Sequence, residues 1–163
     1  MITLFLQVLL SLAPRTDIYY SSAATEKLSV VDFDGLEKYL EQFGDRTIVL
    51  NFWASWCVPC VKELPYFEKA TRTYPQEDVA IVLVSLDFTK KIDTVLKPFL
   101  KAHDVQSEVI VLDDPDQTTW INKVDPSWSG AIPVTLIRKG DKRVFYEKAF
   151  QSYEELSTAI QSL

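Results

Sequence analysis

The two cysteines of the chain, Cys57 and Cys60, are the residues whose spacing best suits covalent chemistry. They follow an apolar run at residues 48–53 that is typical of a buried strand, and a helical pattern follows them. Backbone N–H groups and the positive end of a helix dipole would then face the first sulfur and favour its thiolate. Because a thiolate is the nucleophile in disulfide exchange, we expect Cys57 to attack and Cys60 to resolve.

Two other uses of the cysteine pair are disfavoured. A zinc site needs about four ligands, but the chain has only these two cysteines and one histidine, His103, far away in sequence. We therefore expect no metal. A purely structural disulfide is disfavoured because closing so short a loop removes little entropy from the unfolded chain. A redox-active pair that follows a strand in an α/β pattern is the favoured interpretation.

The composition indicates one ordinary globular domain with an acidic surface. The chain has 163 residues and a formal net charge of -6, with a pI near 4.8. A chain of this length buries a core without disulfide staples. A nucleic-acid partner is not expected, because the acidic protein and the phosphate backbone would repel each other.

The amino-terminal stretch is almost wholly apolar over residues 1–13. This length suits the apolar region of a secretory signal, and the small residues at 22–24 suit a cleavage site, although no Lys or Arg precedes the run. We expect residues 1–24 to be a signal peptide or hydrophobic segment and residues 25–163 to be the folded domain. Export to the periplasm or cell envelope follows from that interpretation. A cytoplasmic location follows if the segment is instead a buried helix or a wrongly assigned start.

The hydrophobic pattern predicts strands alternating with helices along the rest of the chain. Strands are predicted at residues 28–31, 47–54, 79–86, 108–112, 134–138 and 143–146, and helices at residues 34–43, 60–74, 92–103, 116–124 and 152–163. Asp34 is expected to cap the first helix, and Ser152 and Glu155 to form a capping box at the last. This order of elements predicts an α/β sandwich with a mixed sheet.

The motif F-W-A-S-W-C-V-P-C at residues 52–60 resembles the active-site signature of the thioredoxin superfamily. Its continuation V-K-E-L-P at residues 61–65 is similar to the TlpA/ResA-like branch of thiol-disulfide oxidoreductases. The resemblance covers about residues 29–163. It implies a thioredoxin fold, in which a mixed central β-sheet is flanked by helices, with the inserted helix and strand of the TlpA-like branch at residues 87–111.

The resemblance also implies a cis-proline at Pro133, facing the cysteines. From the residues alone, a trans proline at the start of a strand is the expected form. A cis bond would expose the backbone of Ile132 to an extended substrate segment, which could pair with it as a short added strand. Trp56 and Pro59, beside the cysteines, are further substrate-binding candidates. Trp128 is expected either to line the same groove or to pack in the core.

Glu63 is the third catalytic candidate, one helical turn beyond Cys60. It is either a solvated surface carboxylate or a group that tunes the cysteine pair and carries the proton of the resolving thiol. The resemblance favours the second role. Asn51, six residues before Cys57, cannot accept a proton as an aspartate could, which leaves Glu63 or water as the base.

These observations predict a thiol-disulfide oxidoreductase that reduces protein disulfides and needs no prosthetic group. The linker between the cysteines, Val58 and Pro59, has no positive charge to stabilise a reduced thiolate, which favours a reductant over an oxidant. The resemblance implies client proteins such as apocytochrome c and a membrane or envelope thiol reductant as partners. The alternatives are a peroxide-reducing thioredoxin-like enzyme and a non-catalytic binding module, such as a copper carrier.

Overall fold

The computed structural model describes residues 28–163, which form a six-stranded sheet of order β1-β4-β3-β2-β5-β6. The strands β1 to β4 run parallel to one another, and β5 and β6 are antiparallel to their neighbours. The strands are β1 Ser29–Val31, β2 Thr47–Trp53, β3 Val79–Ser85, β4 Glu108–Leu112, β5 Val134–Lys139 and β6 Lys142–Tyr146. The α-helices of this region are α1 Phe33–Leu40, α2 Val58–Thr73, α3 Lys97–Ala102, α4 Gln117–Val124 and α5 Tyr153–Gln161.

Helices cover both faces of the sheet, as the uninterrupted apolar strands predict. The buried side chains of β2 alternate between two clusters, because successive residues of a strand point to opposite faces. Val49 and Trp53 pack with α2 and α5, whereas Leu50 and Phe52 pack with α1 and α4. Asn51 therefore faces α2, the helix that carries the cysteines. The mixed α/β fold predicted from the sequence is confirmed.

The segment between β3 and β4 differs in detail from the single helix predicted for residues 92–103. It begins with a 3₁₀ turn at Thr89–Lys91, continues as a π-helix at Ile92–Leu96, and becomes α-helical only in α3. Leu96 and Leu100 are fully buried in the cluster that contains the cysteines. This insert, as we call residues 86–107, is therefore part of the main core.

A buried carboxylate fastens the end of the insert to α2. Glu68 is 3% exposed and accepts hydrogen bonds from the backbone N–H groups of Gln106 at 2.8 Å and Ser107 at 3.2 Å. Arg72, one turn further along α2, lies 3.7 Å from the same carboxylate. The chain that returns from the insert to β4 is thus held by the helix that carries the cysteines.

The caps of the helices are partly as predicted. The first helix begins two residues earlier than a cap at Asp34 implies, so the prediction of Asp34 as its cap is wrong: Asp32 is the cap and accepts from the N–H of Gly35. Ser152 caps α5 and accepts from Glu155 N–H at 3.1 Å, as predicted, but the Glu155 carboxylate accepts from Gln151 N–H at 2.7 Å, one residue before the bond that a capping box requires. The predicted signal segment, residues 1–24, lies outside the described residues.

Candidate active site

The two cysteines form a disulfide at the amino-terminal end of α2. Cys57 is the cap residue of the helix, with extended backbone geometry, and Cys60 lies in its first turn. Their Cα atoms are 5.3 Å apart. The Cys60 N–H points at Cys57 Sγ, 3.4 Å away. Because this donor and the helix dipole both favour negative charge, the geometry stabilises a thiolate on Cys57 once the disulfide is reduced.

The two sulfur-bearing residues differ in their access to solvent. Cys57 is 6% exposed and Cys60 is 1% exposed. The residues on either side of Cys57 are open, with Trp56 59% and Val58 64% exposed. Cys57 is therefore the more accessible of the two cysteines, and it lies between two exposed apolar side chains.

The peptide bond between Ile132 and Pro133 is cis, as the resemblance implied. The carbonyl oxygen of Ile132 lies 3.8 Å from Cys57 Sγ. In the disulfide this is a van der Waals contact and not a hydrogen bond, because a disulfide sulfur has no hydrogen to donate. Ile132 is half-buried and Pro133 is buried. The sequence thus brings together two segments far apart in the chain, the cysteine pair and this peptide.

Trp128 does not line a groove beside the cysteines. Its ring is 5% exposed and packs against Phe52, Trp120 and Phe145 on the opposite face of the sheet. Its indole N–H donates to the carbonyl of Ala131 at 2.7 Å. Of the two roles left open for Trp128, core packing is the one observed, with an added hydrogen bond that holds the loop before Pro133.

Glu63 is buried, so the solvated-surface alternative does not hold. Its side chain projects from the second turn of α2 into the core and is 1% exposed. One carboxylate oxygen accepts from the N–H of Phe150 at 2.7 Å, and the other accepts from Asn51 Nδ2 at 2.9 Å. Burial raises the pKa of Glu63 to about 7, although the hydrogen bonds from Phe150 and Asn51 act in the opposite direction.

Asn51 connects Glu63 to the strand that follows the cis-proline. Its Nδ2 also donates to Thr135 Oγ1 at 3.1 Å, and both residues are buried. The sequence had suggested Asn51 only as a residue unable to act as a base. In the structure it is a hydrogen-bond donor that orients the carboxylate one turn from Cys60.

A second buried carboxylate, which the sequence analysis missed, fixes the loop before the cysteines. Asp87 is 4% exposed and accepts from Ser55 N–H at 2.9 Å, from Ser55 Oγ at 2.5 Å and from Ser85 Oγ at 2.9 Å. One signal was present: Asp87 follows an apolar strand parallel to β2. The carboxyl ends of parallel neighbours lie at the same edge of a sheet, where functional groups collect.

The described residues hold no group of three or more His, Cys, Asp or Glu side chains close enough to bind a metal ion. Within residues 28–163, no helix has both the length and the apolar character needed to cross a bilayer.

Comparison with known proteins adds a family and a set of similar folds. The sequence pattern of the AhpC/TSA family matches residues 22–144. Thiol-disulfide oxidoreductase ResA of Bacillus thuringiensis subsp. konkukian is 31% identical over 137 residues, which cover 82% of this chain and 73% of the relative. Sporulation thiol-disulfide oxidoreductase A of Bacillus subtilis is 37% identical over 68 residues, or 42% of this chain and 41% of that protein.

Solved structures with low sequence identity share the fold. A thioredoxin-related protein from Neisseria meningitidis serogroup B superposes with a TM-score of 0.65 at 22% identity, covering 76% of this chain and 88% of the other. A secreted disulfide oxidoreductase of Mycobacterium tuberculosis superposes with a TM-score of 0.58 at 21% identity, over 76% of this chain and 86% of the other. Both confirm the predicted thioredoxin-like fold.

Proposed function

The chain belongs to the AhpC/TSA family and has a thioredoxin-like fold, and from that premise we propose that it is a thiol-disulfide oxidoreductase that reduces protein disulfides. The observation that carries the proposal is the position of Cys57. Its sulfur lies at a helix amino terminus, beside a backbone N–H and 3.8 Å from the carbonyl of a cis peptide. This arrangement supports both a stabilised thiolate and a backbone surface for the client.

The reaction has two exchange steps. The Cys57 thiolate attacks one sulfur of the client disulfide, so that a Cys57–client bond forms and the client's other sulfur leaves as a thiolate, which takes up a proton. Cys60 then loses its proton and attacks Cys57 Sγ, which releases the second client thiolate and closes the Cys57–Cys60 disulfide. Two electrons pass from the protein to the client.

Glu63 is the proposed acceptor of the Cys60 proton. It lies one helical turn from Cys60, and a carboxyl group with a pKa of about 7 exchanges protons readily near neutral pH. Asn51 and the Phe150 N–H hold its two oxygens in place. The carboxylate of Glu63 is therefore fixed by three elements: α2, which carries it, β2, which carries Asn51, and the segment before α5, which carries Phe150.

The client is held by the backbone of Ile132 as a short added strand, which presents its disulfide to Cys57. Trp56 and Pro59, both exposed, complete the substrate-facing surface. The cis form of Pro133 is a structural observation, whereas the role of this peptide in client binding is part of the proposal.

The proposed setting is the cell envelope, reached by export with residues 1–24 as the signal. The apolar amino-terminal run supports this, and a similar structure is described as a secreted disulfide oxidoreductase. Clients such as apocytochrome c and a membrane thiol reductant fit the resemblance to the TlpA/ResA-like branch. Sequencing the amino terminus of the mature protein tests export, and an intact Met1 on a cytosolic product would contradict it.

The activity is tested by trapping the mixed disulfide. Cys60→Ser leaves the attacking sulfur without its resolving partner, so it should accumulate covalent adducts with client proteins that a reducing agent releases. Cys57→Ser is the matched control and should trap few, because Cys60 is buried. The reduced wild type should also cleave the disulfides of insulin.

A peroxide-reducing activity is the alternative outcome of the same assays. The proposal fails if Cys60→Ser traps nothing and the reduced wild type leaves insulin intact. Rapid oxidation of the reduced protein by hydrogen peroxide, together with no reaction with insulin, would favour the peroxidase instead.

A further inference from the structure

Phe88, the first residue of the insert beyond the buried Asp87, is an aromatic residue that is largely exposed to solvent. It is 73% exposed, more than Trp56 at 59%. Leaving a Phe side chain exposed forgoes the favourable free energy that its burial would supply. Neither the proposed exchange steps nor the core uses this ring.

Phe88 and Trp56 stand on adjacent loops. Trp56 follows Ser55 and Phe88 follows Asp87. These two preceding residues are hydrogen-bonded to each other, because Asp87 Oδ2 accepts from the Ser55 N–H at 2.9 Å. A second hydrogen bond joins the same two loops, because the Leu86 N–H donates to the carbonyl of Trp53 at 2.8 Å. Two exposed aromatic residues therefore lie on neighbouring loops, and one of them, Trp56, directly precedes Cys57.

The loop that carries Phe88 is held in place by buried polar groups. Asp87 accepts three hydrogen bonds, two from Ser55 and one from Ser85. A loop fixed in this way loses little conformational freedom when a partner binds. Aromatic residues, including Phe, are enriched where protein surfaces meet in an interface.

The surface immediately beyond Phe88 is positively charged, in a chain whose net charge is -6. Lys90 and Lys91 are exposed, and within the described residues neither forms an ion pair. The nearest exposed acid along the chain, Asp93, is neutralised by Lys97 at 2.6 Å. Charge complementarity therefore favours an acidic group on whatever binds here.

We propose that Phe88 and Trp56 form an aromatic clamp for an extended client segment that has an apolar side chain next to its cysteine and an acidic residue beyond it. Phe88 is then a specificity-determining residue, and Lys90 and Lys91 read the acidic residue. This inference rests on the proposed function, because it names the class of client that the same site reduces.

The test compares two disulfide-bonded peptides as substrates of the full-length reduced protein. In one peptide, Leu flanks the cysteine and Asp lies beyond it; in the other, Gly and Ser take those places. Phe88→Ala should lower kcat/KM about tenfold for the first peptide and less than twofold for the second and for hydroxyethyl disulfide. Val30→Ala, at an exposed apolar residue on the edge strand β1, is the matched control and should change none of the rates.

The acidic preference is tested by reversing charge at two places. The double variant Lys90→Glu and Lys91→Glu should lose the preference for the Leu-Asp peptide over a third peptide that keeps Leu but has Ser in place of Asp. The control double variant, Lys139→Glu and Lys142→Glu, makes the same change of charge at the β5–β6 hairpin and should keep that preference. Equal loss in the two double variants would overturn the role of Lys90 and Lys91.

Binding without chemistry separates failure of this inference from failure of the proposed function. Calorimetric titration of the oxidised protein with the Leu-Asp peptide, its cysteine replaced by serine, should show binding that Phe88→Ala weakens about tenfold. If the wild type reduces both peptides but Phe88→Ala binds and reduces them equally well, the clamp is overturned and the oxidoreductase stands. A uniform loss on all substrates, including hydroxyethyl disulfide, would make Phe88 merely structural. If the wild type reduces no disulfide at all, the proposed function falls and the clamp with it.

Discussion

Replacing Glu63 by Gln should make the stability of the protein less dependent on pH. Gln keeps the size of the side chain and removes its ionisation. The Gln Oε1 can still accept from Phe150 N–H. The Gln Nε2 can donate to Asn51 Oδ1 once the Asn51 side-chain amide has rotated by about 180°, which exchanges its O and N atoms. The core is therefore expected to remain folded, and the change isolates the carboxyl group.

The sign follows from the raised pKa. In the unfolded chain Glu63 ionises near 4.5, whereas in the folded protein its pKa is about 7. Between these values the folded state holds a proton that the unfolded state has lost, so the wild type loses stability as pH rises through this window. The full loss, at about 1.36 kcal/mol per pKa unit, is on the order of 3 kcal/mol above pH 7.

Urea unfolding of the oxidised proteins between pH 4 and 8 measures this, because neither cysteine titrates in the disulfide. The free energy of unfolding of Glu63→Gln relative to the wild type should rise by about 3 kcal/mol from pH 4 to 8, which is a midpoint shift of about 1–3 M. A substitution that only disturbs packing would give an offset independent of pH. A constant offset, or a difference of the opposite sign, would refute the raised pKa and with it the proton-accepting role of Glu63.

Three further substitutions and one control test the contacts around the site by urea unfolding. Asp87→Ala leaves the donors of Ser55 and Ser85 unsatisfied and should lower the free energy of unfolding by about 3 kcal/mol. A loss below about 0.5 kcal/mol would contradict the role of Asp87 in fixing the loop before the cysteines. Leu100→Ala should cost about 3 kcal/mol because the insert is part of the core, whereas Val95→Ala, at an exposed position on the same segment, should cost little. Trp128→Phe keeps an aromatic ring but loses the hydrogen bond to Ala131 and leaves a cavity, so it should cost roughly 1–3 kcal/mol and slow the reduction of insulin; unchanged rates would show that the loop does not need this bond.

The strands and the cysteine pair were predictable because their signals are local. The apolar run of β2 and the two cysteines after it lie within one short window, and periodicity reports such windows well. The cis form of Pro133 was different. Residues alone favoured trans, and only the resemblance to a family indicated cis, because the isomer of an X-Pro bond depends on tertiary surroundings.

The parts that sequence could not supply are contacts between distant segments. Nothing near Glu63 in the sequence shows that Phe150 would donate to it, and so its burial remained one of two alternatives. Asp87 and Ser55 meet only because β3 lies beside β2 in the sheet. The error at the first helix has a local cause: Asp32 and Asp34 are both good caps, and the choice depends on packing of Phe33 in the core.

The insert is anchored at both ends, by Asp87 where it leaves the sheet and by Glu68 where it returns. Both anchors attach to the segments that hold the cysteines, the loop at Ser55 and the helix α2. The exposed residues of the insert are therefore carried by backbone that is fixed to the same loop and helix as the cysteines. We expect evolution or engineering to exchange those outward residues freely, altering which polypeptides are chosen while the electron-transfer machinery stays where it is.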